Sequence, residues 1–204
     1  MIYEFRTYTL RPKTIGEFVK RFGEALPKRL EYSSLAAFWQ SEIGALNQVI
    51  HVWPYADTAE RTRVRSAAVA AGIWPPKTSE FIVDMRSEIF EPVTQAPTLE
   101  AANIGPYYEI RTYQLPPGAA HAMAERWDEH LPQRTALSPL AGVFHSDIGA
   151  LNQWVHIWAY KSLDDRFAVR KEAANQGIWP PPGNSPVIAQ ENKIVVPAPF
   201  SPMQ

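Results

Sequence analysis

The chain has 204 residues, no cysteine, and 20 basic against 21 acidic side chains, for a net charge of −1. These figures exclude disulfides, thiolate metal sites and a cysteine nucleophile. The interspersed charges leave no basic stripe for nucleic acid.

The N-terminus runs directly into Ile2-Tyr3-Glu4-Phe5, with no basic n-region and no long apolar core. That predicts neither a signal peptide nor a membrane span, and a cytoplasmic protein. Residues 2–10 alternate and are rich in β-branched and aromatic types, which predicts a strand. Tyr3, Phe5 and Thr7 share one face; Glu4, Arg6 and Tyr8 share the other. Pro12 suits the first turn of a helix, whose apolar stripe is Ile15, Phe18, Val19, Phe22 and Leu26.

A second strand is predicted over 35–43 and a third over 48–55. Gly44-Ala45-Leu46-Asn47 joins them as a hairpin loop. A second helix covers 57–71, with Asp57 or Thr58 as its cap. Gly72 stops it and Pro75-Pro76 prevent continuation. A fourth strand covers 81–90. The order βαββαβ is a ferredoxin-like unit, an antiparallel sheet with two helices on one face. The other face is left bare and needs a cover. Residues 92–106 carry three prolines and no periodicity, so they read as a linker.

The pattern then repeats. Ser41-Glu42-Ile43-Gly44-Ala45-Leu46-Asn47-Gln48, followed by His51 and Trp53, returns as Ser146-Asp147-Ile148-Gly149-Ala150-Leu151-Asn152-Gln153, followed by His156 and Trp158. The shift of 105 positions also relates Arg6-Thr7-Tyr8 to Arg111-Thr112-Tyr113, and Gly72-Ile73-Trp74-Pro75-Pro76 to Gly177-Ile178-Trp179-Pro180-Pro181. The chain is an internal duplication. Second-half strands are predicted near 107–115, 140–148, 153–160 and 187–196, with helices near 119–136 and 162–176. The units are 1–92 and 107–197, with 93–106 between them. A proline-rich tail, 198–204, is expected to lie extended on the surface.

The ordered set Tyr-Glu-x-Arg-Thr-Tyr, Ser-Glu/Asp-Ile-Gly-x-Leu-Asn-Gln-x-x-His-x-Trp-x-Tyr and Arg-x-x-x-Arg, present in both halves, resembles the NIPSNAP family. The resemblance implies the ferredoxin-like dimeric α+β barrel superfamily. The two tandem units would then pack sheet to sheet as an intramolecular α+β barrel pseudo-dimer. Related barrels include cofactor-free monooxygenases, isomerases, lyases and haem proteins, and some animal NIPSNAP members act as mitochondrial adaptors. Fold alone does not choose among these.

On the third strand His51, Trp53 and Tyr55 share a face, as do His156, Trp158 and Tyr160. This polar-aromatic face is expected to line a cavity, with Glu4, Arg6 and Tyr8 beside it, while Ile50 and Val52 pack under helices. His51 and His156, assisted by Tyr8 and Tyr113, are candidate acid–base groups. The alternative is a core histidine satisfied by Glu4, Tyr8 or a backbone carbonyl. Arg6, Arg111, Trp53, Trp158, Tyr55, Tyr160 and His145 are candidate ligand contacts. Arg6 alternatively pairs with Glu4 or Glu42. Arg61 and Arg65, like Arg166 and Arg170, repel at i, i+4 unless an acid or anion neutralises them; Asp57, Glu60 and Asp165 are the nearby acids.

With five histidines and no HxH or HxxxH pair beside an acid, no metal site is expected. No cofactor is expected either. The predicted function is a cofactor-independent small-molecule enzyme of isomerase, lyase or monooxygenase type, with its site inside the barrel. The alternative is a non-catalytic ligand-binding or adaptor protein. The expected partner is a small molecule, without nucleic acid or membrane, and homo-oligomerisation is possible.

Overall fold

The computed structural model describes residues 1–93 and 96–204. The first half runs β1 (Ile2–Leu10), α1 (Ile15–Leu30), β2 (Ala37–Ile43), β3 (Gln48–Tyr55), α2 (Thr58–Ala70) and β4 (Ile82–Pro92). The second runs β5 (Tyr107–Gln114), α3 (Ala120–Thr135), β6 (Leu140–Ile148), β7 (Gln153–Tyr160), α4 (Leu163–Asn175) and β8 (Ala189–Pro197). The Asp57 side chain caps α2 by accepting from the Glu60 amide at 2.8 Å, and Ser162 does the same for α4 from Asp165 at 3.0 Å. Asn47 and Asn152 close the hairpin loops at φ of 57° and 58°, a conformation asparagine tolerates better than most side chains. Pro12 stands ahead of α1 rather than inside its first turn, because Lys13 at φ 70° intervenes.

All the strands join one closed antiparallel barrel in the order β1-β3-β2-β8-β5-β7-β6-β4. Each half therefore contributes one four-stranded sheet, β4-β1-β3-β2 or β8-β5-β7-β6. Two seams join the halves. β2 meets β8 from Trp39↔Pro197 to Ile43↔Ile194, and β4 meets β6 from Ile89↔Ile148 to Pro92↔Phe144. Closure removes the unpaired edges that each isolated sheet would expose.

The barrel interior is filled from both halves by one apolar cluster, which includes Tyr3, Phe5, Trp39, Val52, Tyr108 and Phe144. Phe144 touches Tyr3 and Phe5 across the halves at ring distances of 5.0 and 5.3 Å. Two further clusters lie outside the barrel, each between one sheet and its own helices. Phe18, Phe22, Val49, Trp53 and Tyr55 belong to the first; Trp127, Leu131, Trp154, Trp158 and Tyr160 belong to the second.

This reverses the expected assignment of faces. Ile50 and Val52 point into the barrel, whereas His51, Trp53 and Tyr55, with their second-half counterparts, point outward under the helices. An eight-stranded barrel is narrow and is filled by side chains. The outer surface of each sheet, under the helices, takes the fully buried glutamate and the buried histidine, with an arginine paired to the glutamate.

The segment between the halves and the tail also differ from expectation. Leu99 is buried in the interior cluster, and Ala102 forms a backbone bridge with Met203. The linker expectation at Thr94 and Gln95 lies outside the described residues. The tail packs inward instead of lying free on the surface. Ser201 Oγ accepts the Phe38 amide at 3.0 Å, Met203 is buried, and Phe200 stacks on Phe22 at 5.8 Å. Gly23 permits that contact, since a Cβ there would meet Phe200 at 2.8 Å. Among the described residues no helix is long and apolar enough to cross a membrane.

Because Phe144 bridges both halves, Phe144→Ala is expected to cost about 3–5 kcal/mol. Urea denaturation followed by circular dichroism should show one cooperative transition shifted to lower denaturant. Two separated transitions would show that the halves are not one core.

Candidate functional site

In each half a glutamate sits at the centre of the outer sheet face, fully buried. Glu4 Oε1 receives Arg6 Nη1 at 2.7 Å, Arg61 Nη2 at 2.5 Å and the Ser87 hydroxyl at 2.7 Å, and Arg65 lies 3.5 Å from Oε2. Glu109 receives Arg111 at 2.9 Å, Arg166 at 2.6 Å and Asn192 at 2.9 Å, and Arg170 lies 3.9 Å from it. Thus β1 and α2, or β5 and α4, are tied through one carboxylate. This is what neutralises the Arg61/Arg65 and Arg166/Arg170 pairs, in place of the acids on their own helices.

Burial alone would raise the Glu4 carboxyl, but Arg61, Arg65, Ser87 and Arg6 together outweigh it and hold its pKa at about 2. Glu109 is lowered in the same way, with Arg166 leading against its burial. Each carboxylate faces three arginines, so positive charge is in excess in both clusters.

The histidines lie beside these clusters and are buried. His51 Nδ1 accepts the Trp53 indole N–H at 2.6 Å, and His156 Nδ1 accepts that of Trp158 at 2.7 Å. An accepting Nδ1 puts the single ring proton on Nε2, and neither Nε2 finds a hydrogen-bond partner. Aromatic rings surround them instead. Tyr8 and Phe22 lie 4.9 and 5.2 Å from His51, and Tyr113 and Trp127 lie 4.7 and 4.6 Å from His156. Burial first, then the neighbouring arginines, push both pKa values well below the ordinary 6.5. Each ring is therefore neutral and has no free lone pair for a substrate proton. They are core histidines, but none of Glu4, Tyr8 or a backbone carbonyl partners His51; each ring is held at Nδ1 alone by a tryptophan indole.

The tryptophans and tyrosines of the same strands are held by a residue that sequence reasoning missed. Arg29, buried at the end of α1, lies 4.5 Å over the Trp53 ring and donates to Tyr55 at 3.1 Å and to Ser33 at 2.8 Å. Arg134 does the same with Trp158 at 4.0 Å, Tyr160 at 3.1 Å and Ser138 at 2.8 Å. The available signal was Leu-Pro-x-Arg, which recurs at the same 105-residue shift. His145 stands apart from His156, half-exposed and 3.5 Å from Glu91.

Among the described residues, two of the predicted groups border cavities: His145 a small one of about 60 Å³ beside Leu115 and Asn152, and Tyr113 a larger one. A space of about 260 Å³ lies between β5, α3 and the segment before β8, bounded by Tyr113, Met123, Trp127, Trp179, Val187 and Gln190. Arg126 closes its rim by donating to the carbonyls of Pro181, Gly183 and Asn184. Arg111 Nε donates to the Tyr113 hydroxyl at 3.2 Å, and Arg111 Nη2 donates to Gln190 at 3.1 Å. The phenol oxygen thus accepts from Arg111 and keeps its own proton available to a ligand.

At the first-half positions equivalent to its border, Phe18 stands for Met123, Ile82 for Val187 and Met85 for Gln190. Ile15, Phe81 and Phe200 pack on the first-half core. Among the described residues no cluster of three or more histidine or acidic side chains is arranged to hold a metal.

The NIPSNAP family model matches residues 3–97 and 108–202. The mouse protein NipSnap homolog 3B is 30% identical over 218 residues, covering 99% of this chain and 85% of that protein. Human protein NipSnap homolog 3A is 28% identical over 213 residues, covering 100% and 86%. A solved structure of a candidate monooxygenase from Fusobacterium nucleatum superposes with a TM-score of 0.66 at 11% identity, over 97% of this chain and 92% of that one. At that identity the likeness concerns the fold alone.

Glu4 ties two elements together, so Glu4→Gln should cost about 3–5 kcal/mol at pH 7, mostly from arginines left without their carboxylate. The folded pKa lies below the unfolded 4.5. The stabilisation is therefore complete above pH 4.5 and fades as pH falls towards 2. Denaturation across pH 2–7 should show that acid limb in the wild type and a flatter one in Glu4→Gln.

Proposed function

The chain belongs to the NIPSNAP family, and from that premise we propose that it is a small-molecule-binding protein whose ligand occupies the cavity between β5, α3 and Trp179 of the second half. The observation that carries this reading is the Tyr113 hydroxyl, held by Arg111 and bordering a space walled by two indoles. Flat apolar walls favour a planar, largely aromatic ligand. Tyr113, Gln190 and Ser185, with the Arg126 guanidinium at the rim, are the polar groups that border it, and a tyrosine O–H selects an acceptor such as a carbonyl oxygen.

Of the isomerase, lyase and monooxygenase chemistries considered from sequence, this arrangement supports the part that needs a hydrogen-bond or proton donor at an oxygen. Tyr113 can stabilise an enolate or phenolate oxygen as charge develops there. The described residues that line the cavity include no carboxylate and no imidazole to take a proton from carbon. His156, one layer behind Tyr113 and Trp127, has its Nδ1 engaged by Trp158. Binding without turnover is therefore the better supported reading. Turnover is restricted to substrates acidic enough to ionise on binding. Neither case calls for a cofactor.

A panel of aromatic ketones and hydroxyarenes, titrated against tryptophan fluorescence, tests the assignment because Trp127 and Trp179 border the space. Tyr113→Phe should weaken the best ligand about fivefold, the worth of one neutral hydrogen bond. Val187→Trp, which places an indole at the border of the space, should abolish binding while leaving the circular dichroism spectrum intact. Tyr8→Phe, the first-half equivalent, should leave affinity unchanged. Binding that survives Val187→Trp would place the ligand elsewhere.

A further inference from the structure

The octapeptide repeated almost unchanged in the two halves takes no part in the site under α3. Its two copies form the β2–β3 and β6–β7 hairpins, which stand at one end of the barrel. Ala45, Gln48, Ala150 and Gln153 of these hairpins border a cavity of about 280 Å³ that enters the barrel between the halves. The depth of this cavity is apolar, formed by Phe5, Ile50, Phe90, Ile110 and Val155, and its walls carry Thr7 and Thr112.

The charges at the mouth are arranged in an unusual way. Glu88 on β4 and Lys193 on β8 occupy equivalent positions, 105 residues apart, and so do Arg86 and Glu191. Within each equivalent pair the sign is opposite. Two unchanged copies would have set like charges across the mouth. Glu88 and Lys193 are both half-buried, and among the described residues neither makes an ion pair within 4.0 Å. Lys193 Nζ reaches Gln48 Oε1 at 3.3 Å. Burial pulls the Lys193 ammonium below its ordinary pKa, against the opposing pull of Glu191 and Glu88 and with a smaller contribution from Arg86.

Both side chains are seated by the repeated glycine of the opposite half. A Cβ at Gly149 would come within 2.9 Å of Glu88 Cγ, and one at Gly44 within 3.1 Å of Lys193 Cβ. Each glycine also has a positive φ, 112° at Gly44 and 123° at Gly149. The glycine of the motif therefore serves both the turn and the close approach.

We propose that this barrel mouth is a second ligand site, distinct from the cavity under α3, and that it takes an apolar α-amino acid or a zwitterion of similar size. The carboxylate would meet Lys193, the ammonium would meet Glu88, and the side chain would enter the apolar depth. A singly charged ligand would leave one half-buried charge without a partner, which costs affinity. The selection is therefore for both charges on one small molecule.

Isothermal titration of the full chain with L-leucine and L-phenylalanine tests this, beside 4-methylpentanoate and 3-methylbutylamine, which each keep one of leucine's charges. At least one amino acid should bind, and the two leucine analogues should bind about tenfold or more weakly than leucine. Lys193→Met and Glu88→Gln should each weaken the amino acid about tenfold. The exchange Glu88→Lys with Lys193→Glu should restore binding, because the two positions are equivalent across the barrel. The proposal is overturned if neither amino acid binds at millimolar concentration, if 4-methylpentanoate matches leucine, or if Lys193→Met leaves affinity unchanged. The analogue comparison uses the wild-type chain, so it does not depend on the variants folding.

Discussion

Barrel closure is the constraint on which the rest of this molecule depends. A four-stranded sheet with helices on one face has two problems, an apolar face and two unpaired edges. A second copy resolves both at once. The β2–β8 and β4–β6 seams use up the edges, and the shared cluster around Phe5, Trp39 and Phe144 covers the faces. Two kinds of space result. The space inside the barrel belongs to both halves, and only its end is open. The space under the helices belongs to one half alone, so it can differ between halves without disturbing closure.

Much of this was legible in the sequence. Strand alternation, the hairpin Asn47 and Asn152 and the duplication give the element order and the tandem units, and the family resemblance implied the barrel. Which face points inward was not legible. Alternation separates His51, Trp53 and Tyr55 from Ile50 and Val52, but both sets are compatible with burial on either side. The narrow interior favours residues that interdigitate without polar needs. The outer face meets α1 and α2, which bring Arg29, Arg61 and Arg65. A buried glutamate needs such partners. Glu4, Arg61 and Arg65 all recur at the same shift, and that recurrence was the clue that strand and helix share one cluster.

The arginine clusters also explain the state of the histidines. Three cations converge on each carboxylate, so the surroundings of His51 and His156 disfavour a further positive charge. Burial acts in the same direction. The indole N–H of Trp53 or Trp158 then fixes the neutral tautomer. A histidine chosen from sequence for its ability to titrate is thus held where titration is suppressed. The neighbouring tyrosine gains what the histidine loses, since the arginine that repels an imidazolium donates to the Tyr113 oxygen and leaves its proton free.

Tandem fusion is what allows the halves to diverge. In a dimer of identical chains, any residue that closes a cavity under one set of helices closes the other as well. Here Phe22 and Trp127 are separate positions, as are Met85 and Gln190. The segments that follow β4 and β8 run over opposite halves in equivalent ways, the Val93 amide on the Val143 carbonyl and the Ala198 amide on the Phe38 carbonyl, but they carry different side chains. Phe200 lies on Phe22 and Phe38, over the glycine that the first half keeps. The second half has Asp128 at that place, beside Pro97 and Leu131. Its cavity beside Tyr113 lies elsewhere under α3 and follows from the side chains that border it, with Trp127 and Gln190 where the first half has Phe22 and Met85.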